Sequence, residues 1–267
     1  MLLGQGKNLS VFSLALASSL SFLIGIAAGL LGVGGGEFRL PILICLLGFP
    51  VPAAAAANLI IGTLTVATGL ARRLVAGVFD PAALWMILSM SAGSIFGAYF
   101  GSGLTGKVSE KRLKQAVGAL LVILGLKFIH GALTEEFPYG SVVGHPLDLW
   151  LGAALGALIG VACGALGVAG GEFRIPAFVY LFGMDVKGAG TVSLAVSLPT
   201  VLAGGMKHGM MGHIDRRVAY ACVAMGVPAV VGATIGAALV PGAAEVLLKM
   251  LLGIVLLLAT VRMGIKH

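Results

Sequence analysis

Two short stretches carry the residues of this chain best suited to chemistry. Residues 29–41 read GLLGVGGGEFRLP, and residues 164–176 read GALGVAGGEFRIP, identical at ten of thirteen positions. Each sets a carboxylate two residues before a guanidinium, Glu37 with Arg39 and Glu172 with Arg174, inside otherwise apolar sequence. A charge inside a bilayer costs about 2.5–3.5 kcal/mol even on the lenient insertion scale. A duplicated Glu-x-Arg is therefore expected to be half of an ion or substrate site, present twice. Guanidinium groups bind oxyanions bidentately, and a buried glutamate can take up a proton.

The neighbouring residues say how such a site would be built. Gly34, Gly35 and Gly36, matched by Gly170 and Gly171, let the backbone unwind and approach a ligand. Irregular backbone inside a membrane survives only where it is buried or lines a cavity. Pro41 and Pro176 fit the first turn of a following short helix, whose free N–H groups and dipole would attract an anion. Glycine before and proline after favour an extended stretch, in which Glu37 and Arg39 share one side. Local pairing, or reciprocal pairing of Glu37 with Arg174 and Glu172 with Arg39, would neutralise the buried charges, and a purely structural clasp is the competing reading. Asn58 and the aligned Ser193 complete the substrate-binding candidates, with Thr63, Thr65, Ser197 and Thr200 on the same following helices. For these hydroxyls, bonding to their own backbone is the simpler expectation. Glu37 and Glu172 are the candidates for coupling transport to protons.

The elements that must position these residues are membrane helices. Hydrophobic residues make up 59% of the chain and charged residues 10%, with mean hydropathy +1.09, whereas soluble domains are about 25% charged. Charge-free runs at 8–36, 40–71, 81–106, 149–171, 188–206 and 218–244 are each near or above the roughly 20 residues a spanning helix needs. The first run has a signal-peptide look. It stands to the first motif as residues 149–163 stand to the second, however, so it is expected to be a retained membrane helix. The net charge of +7 lies at the ends of apolar runs and not along a basic face, which argues against nucleic acid as a partner.

The offset of 135 persists beyond the motif, from Gly48 and Gly183 to Gly118 and Gly253. The expected organisation is a first transmembrane repeat over 1–133, a polar inter-repeat loop over 134–148 and a second repeat over 149–267. Each repeat holds four full helices and one short broken or re-entrant helix, giving an all-α membrane protein of eight to ten segments. The short pieces, 40–48 and 175–183, are too short to cross alone. If they dip and return, the repeats are parallel; if they complete a crossing, the repeats are inverted. Counting five crossings puts eleven Lys and Arg residues on the N-terminal side against six opposite, which favours inverted repeats with both termini in the cytoplasm.

The remaining features have bland expectations. Cys45, Cys163 and Cys222 lack metal or disulfide spacing and are read as small buried apolar residues. Gly93, Gly97, Gly101 and Gly103, with Gly226, Gly232 and Gly236, are read as close helix-packing faces. Arg72, Arg73, Asp80, Lys207, His208, His213, Asp215, Arg216 and Arg217 are read as interfacial anchors, and the five-residue spacing of the two histidines argues against a metal pair.

The doubled glycine pattern, Gly32, Gly34, Gly35, Gly36 and Pro41 followed by Gly167, Gly170, Gly171 and Pro176, resembles the sulfite exporter TauE/SafE family, also called the 4-toluene sulfonate uptake permease family. The likeness covers nearly the whole chain. It implies a membrane carrier for sulfur-containing anions such as sulfite or sulfonates, without a bound cofactor. Family members commonly follow the glycines with apolar residues, where this chain has Glu37-Phe38-Arg39 and Glu172-Phe173-Arg174, and Ala169 stands opposite Gly34. The expected function is a secondary transporter, an exporter of a small sulfur-containing anion with proton coupling. An anion channel and a membrane scaffold without transport are the alternatives. Enzyme motifs such as H-E-x-x-H, G-x-S-x-G and the P-loop are absent. The expected partners are a small anionic substrate and the lipid bilayer of a bacterial or archaeal cell membrane, with homo-oligomerisation left open.

Overall fold

The computed structural model describes residues 10–105, 110–134 and 146–264, with side chains described for 10–105, 118–134 and 147–260. Among these residues there are ten α-helices and no strand. The first half holds α1 (Val11–Leu31), the short α2 (Gly36–Pro41) with a wide π turn over Ile42–Leu46, α3 (Val51–Val75), α4 (Leu84–Ser102) and α5 (Glu110–Leu133). The second holds α6 (Pro146–Leu166), α7 (Gly171–Tyr180), α8 (Val186–Met210), α9 (Arg216–Leu239) and α10 (Glu245–Gly264). Most of the expected loop, residues 135–145, lies outside the described residues.

Among the described residues, six helices are long and apolar enough to cross a membrane: Val11–Leu31, Val51–Val75, Pro81–Ser102, Leu147–Leu166, Val186–Met210 and Arg216–Leu239. The spans in α3 and α8 are 61% buried, against 28–44% for the other four, so these two form the centre. Ala54 to Ala57 of α3 are fully enclosed. Trp85, Phe96, Phe100, Trp150, Val223 and Val227 instead point outward, an apolar exterior that a bilayer would cover.

Small residues set the directions of the helices. Gly25 lies against Ala229 and Gly29 against Ala233, so α1 and α9 run in the same sense. Gly93 against Ala153 and Gly97 against Ala157 make α4 and α6 parallel in the same way. A Cβ on any of these glycines would strike the facing backbone, the close approach that small faces permit in membranes. In α3, Ala57 O accepts from Cys222 Sγ and Leu64 meets Gly226, so α3 also runs with α9, and hence with α1. By contrast α3 opposes α8, with Leu59 at Gly204 and Leu194 at Gly69, and α5 opposes α10, with Leu257 at Gly125 and Ile129 at Gly253. Gly103 meets only its own helix and Gly226 meets a side chain, so these two are not part of the tight faces.

Because α1 and α3 share a direction, the chain must reverse between them. It does so over the motif: Gly35 folds back against Ile24 and Ala28 of α1, and Gly170 against Cys163 and Ile159 of α6. The reversal uses left-handed backbone at Gly32, Gly34 and Gly35, with φ of 87°, 84° and 72°, a region that costs side-chain-bearing residues roughly 1–2 kcal/mol each.

Candidate functional site

The short helices begin earlier than the sequence suggests. Gly35 and Gly170 are their left-handed N-caps, so Glu37 and Glu172 fall in the first turn and Arg39 and Arg174 are helical, not extended. Pro41 and Pro176 are then the sixth helical residues instead of the first. The reason lies in the glycines: a left-handed cap lets the helix nucleate at once, and proline only withholds an N–H from the carbonyls of Glu37 and Glu172.

Both guanidinium groups are completely buried, and the hydrogen bonds they make all go to neutral polar groups. Arg39 donates from Nε to Asn58 Oδ1 at 3.2 Å, from Nη1 to Thr65 Oγ1 at 2.9 Å and from Nη2 to the carbonyl of Gly34. Arg174 donates from Nη1 to Ala169 O at 2.5 Å and Ser197 Oγ at 2.8 Å, and from Nη2 to Thr200 Oγ1 at 3.0 Å and Ser94 Oγ at 3.3 Å. The carbonyl five residues back and the threonine 26 residues ahead recur in both halves. Among the described residues no ion pair within 4.0 Å joins either arginine to either glutamate. The expected local and reciprocal ion pairs do not form, because carbonyls turned inward by the left-handed glycine segment reach the guanidinium first.

Glu37 and Glu172 are both buried among the residues where the two motifs meet. Glu37 Oε1 and both oxygens of Glu172 meet no protein donor.

The two motifs meet at the centre of the molecule. Gly34 packs on Ala169, with an added Cβ only 2.5 Å from the alanine Cβ; Gly36 abuts Val168 and Asn58, and Gly171 abuts Val33. Asn58 donates from Nδ2 to Gly36 O at 3.1 Å and across to Gly167 O at 2.6 Å, while Ser193 donates to Gly32 O at 3.0 Å. Each thus ties one half's α3 or α8 to the other half's glycine turn. Gly34, Gly35, Gly36, Glu37, Arg39, Asn58, Gly170, Gly171, Glu172, Arg174 and Ser193 therefore lie in one cluster. Thr65, Ser197 and Thr200 join it by accepting from the arginines, whereas Thr63 bonds only its own helix, to Leu59 O.

Ser94 on α4 is a member that sequence reading missed, and nothing marks it beyond being a small polar residue on a packing face. Arg73 was read as an anchor but is buried: it donates to Gly29 O, Leu30 O and Lys187 O and to Thr191 Oγ1, closing the end of α1 onto α8. His208, at the same place in the second half, is buried too, with its Nδ1 2.9 Å from His213 Nδ1. Arg72 stays exposed, and Asp80 and Asp215 cap helical turns at Pro81 and Arg216. Of the cysteines, Cys163 and Cys222 are buried as expected and Cys45 is exposed.

Comparison with known proteins bears on the family of the chain. A family model described as Sulfite exporter TauE/SafE matches residues 4–128 and 134–263. Two relatives, each named "Probable membrane transporter protein" and coming from Xylella fastidiosa strains 9a5c and Temecula1 / ATCC 700964, are 28% identical over 180 residues, which is 65% of this chain. The match spans 66% of the length of each relative. No solved structure matches. With the family model covering residues 4–128 and 134–263, this integral membrane protein belongs to the sulfite exporter TauE/SafE family.

Proposed function

We propose that the chain is a secondary carrier that exports a small sulfur-containing anion such as sulfite or a sulfonate, coupled to protons. The observation that carries this reading is the meeting of two interrupted helical elements, each bringing a buried arginine and a buried glutamate, where α3 and α8 cross. Membership of the TauE/SafE family and the transporter names of the relatives support transport. The first-turn N–H groups of α7 and the guanidinium groups suit an oxyanion, and two buried glutamates suit coupling to protons.

The two halves are inverted repeats on this reading, five segments each, with both termini in the cytoplasm. The opposed directions of α3 and α8 and of α5 and α10 support it, as does the shared direction of α1 and α3, between which the short piece runs back the other way. Such repeats place the site near the midplane and allow one bundle to rock against the other. The outward-facing apolar side chains suit a lipid bilayer as the surrounding partner.

The test is sulfite flux in proteoliposomes across a pH series, for the wild type and for Glu37→Gln. Saturable flux whose pH dependence flattens in the variant is expected. An identical pH profile would remove proton coupling, and flux that never saturates would favour a channel.

A further inference from the structure

The two arginine cradles differ at one nitrogen. Four of the five N–H groups of Arg174 are used by Ala169, Ser197, Ser94 and Thr200, but its Nε has no partner although the residue is 0% exposed. In Arg39 the same nitrogen is taken by Asn58 Oδ1. The cause is the residue one half-length away. Ser193 occupies the position of Asn58, and its shorter side chain spends its hydroxyl on Gly32 O, so nothing reaches Arg174 Nε.

A buried guanidinium donor without an acceptor is costly, and sequence offered an available remedy, since asparagine stands at the matching site 135 residues earlier. We infer that Arg174 is the arginine that contacts the transported oxyanion, through Nε, and that Ser193 keeps this donor open while Asn58 closes its counterpart and makes Arg39 structural. The inference rests on the reading of this cluster as an anion site. It makes the substrate site asymmetric, with its specificity set in the second half. It also sets the chemical class: a compact oxyanion that supplies an acceptor to one guanidinium N–H beside the carboxyl of Glu172, whose oxygens are likewise without a donor. Sulfite and its protonated form fit.

The test uses the full chain in detergent, with sulfite as the probe and thermal unfolding as the readout, since a ligand of the native form raises the melting temperature. Ser193→Asn would place an amide oxygen on Arg174 Nε, as Asn58 does for Arg39. Without sulfite it should melt at or above the wild-type temperature, yet need about tenfold more sulfite, or more still, for the half-maximal shift, the scale of one hydrogen bond to a charged group. A variant that is as stable but binds worse is not explained by a structural role. The double swap Asn58→Ser/Ser193→Asn should recover part of the wild-type sulfite response through Arg39. Independently, Arg174→Lys should raise the half-maximal sulfite about tenfold, a larger rise than Arg39→Lys gives; an equal rise for the two would overturn the inference. A Ser193→Asn protein that responds at wild-type sulfite concentrations would overturn the inference and leave the anion-site reading standing. A wild type with no sulfite response would overturn both.

Discussion

The two glycine turns are near copies in sequence but not in bonding. In the first, one long amide at Asn58 does three things: it accepts from Arg39 Nε, donates to its own Gly36 and donates across the centre to Gly167. In the second, these tasks are divided or left undone: Ser193 reaches only Gly32, and Ser197 and Ser94 are recruited to hold the guanidinium from the other side. The shared parts, the inward carbonyl and the threonine on α3 or α8, define what a buried arginine needs. The unshared parts define what remains free for something else. A duplicated motif thus supplies a rigid member and an unsaturated one from nearly the same residues.

Substitutions can break this comparison in graded steps. The largest effect is expected at the glycines where the halves touch. Alanine at Gly171 would press its Cβ to 2.5 Å of Val33 Cα, backbone that cannot step aside, whereas alanine at Gly36 meets the Asn58 amide at 2.8 Å. Gly171→Ala should cost about 3 kcal/mol, at the upper end for overpacking, and Gly36→Ala clearly less, in reversible unfolding in detergent. Equal costs would mean that the two turns are packed alike. Next comes Asn58→Ala, which removes three interhelical or turn bonds at about 0.6 kcal/mol each in membrane proteins and opens Arg39, for a loss of about 2 kcal/mol. Ser193→Ala removes one such bond and should cost only about 0.6 kcal/mol; a loss as large as that of Asn58→Ala would erase the asymmetry. Smallest is the effect of Glu172→Gln on stability, within about 1 kcal/mol of zero, because neither carboxyl oxygen has a donor to lose. A large loss there would point to an ionised glutamate held by a cation.

Much of this was legible in the sequence. Hydropathy located the helices, and the glycine run with its charged pair singled out residues that gather at the centre, because a charge in lipid is costly unless polar groups hold it. What was not legible came from partners that no local spacing encodes. The arginines were expected to seek the glutamates, but carbonyls exposed by left-handed Gly34 and by the turn at Ala169 are nearer, and only the backbone course reveals that. Ser94 comes from α4, 80 residues from Arg174. Arg73 looked like an anchor because it follows Arg72; its burial depends on α8 crossing at Thr191. The prolines misled because glycine caps start the helices before them.

The central claim is that the paired motifs cradle an anion which the protein carries. Counterflow tests it most directly: proteoliposomes loaded with unlabelled sulfite should transiently accumulate labelled sulfite from outside, and Arg174→Lys should abolish that overshoot while the reconstituted protein stays folded. Labelled sulfite that only equilibrates, or an overshoot unchanged by Arg174→Lys, would contradict the account.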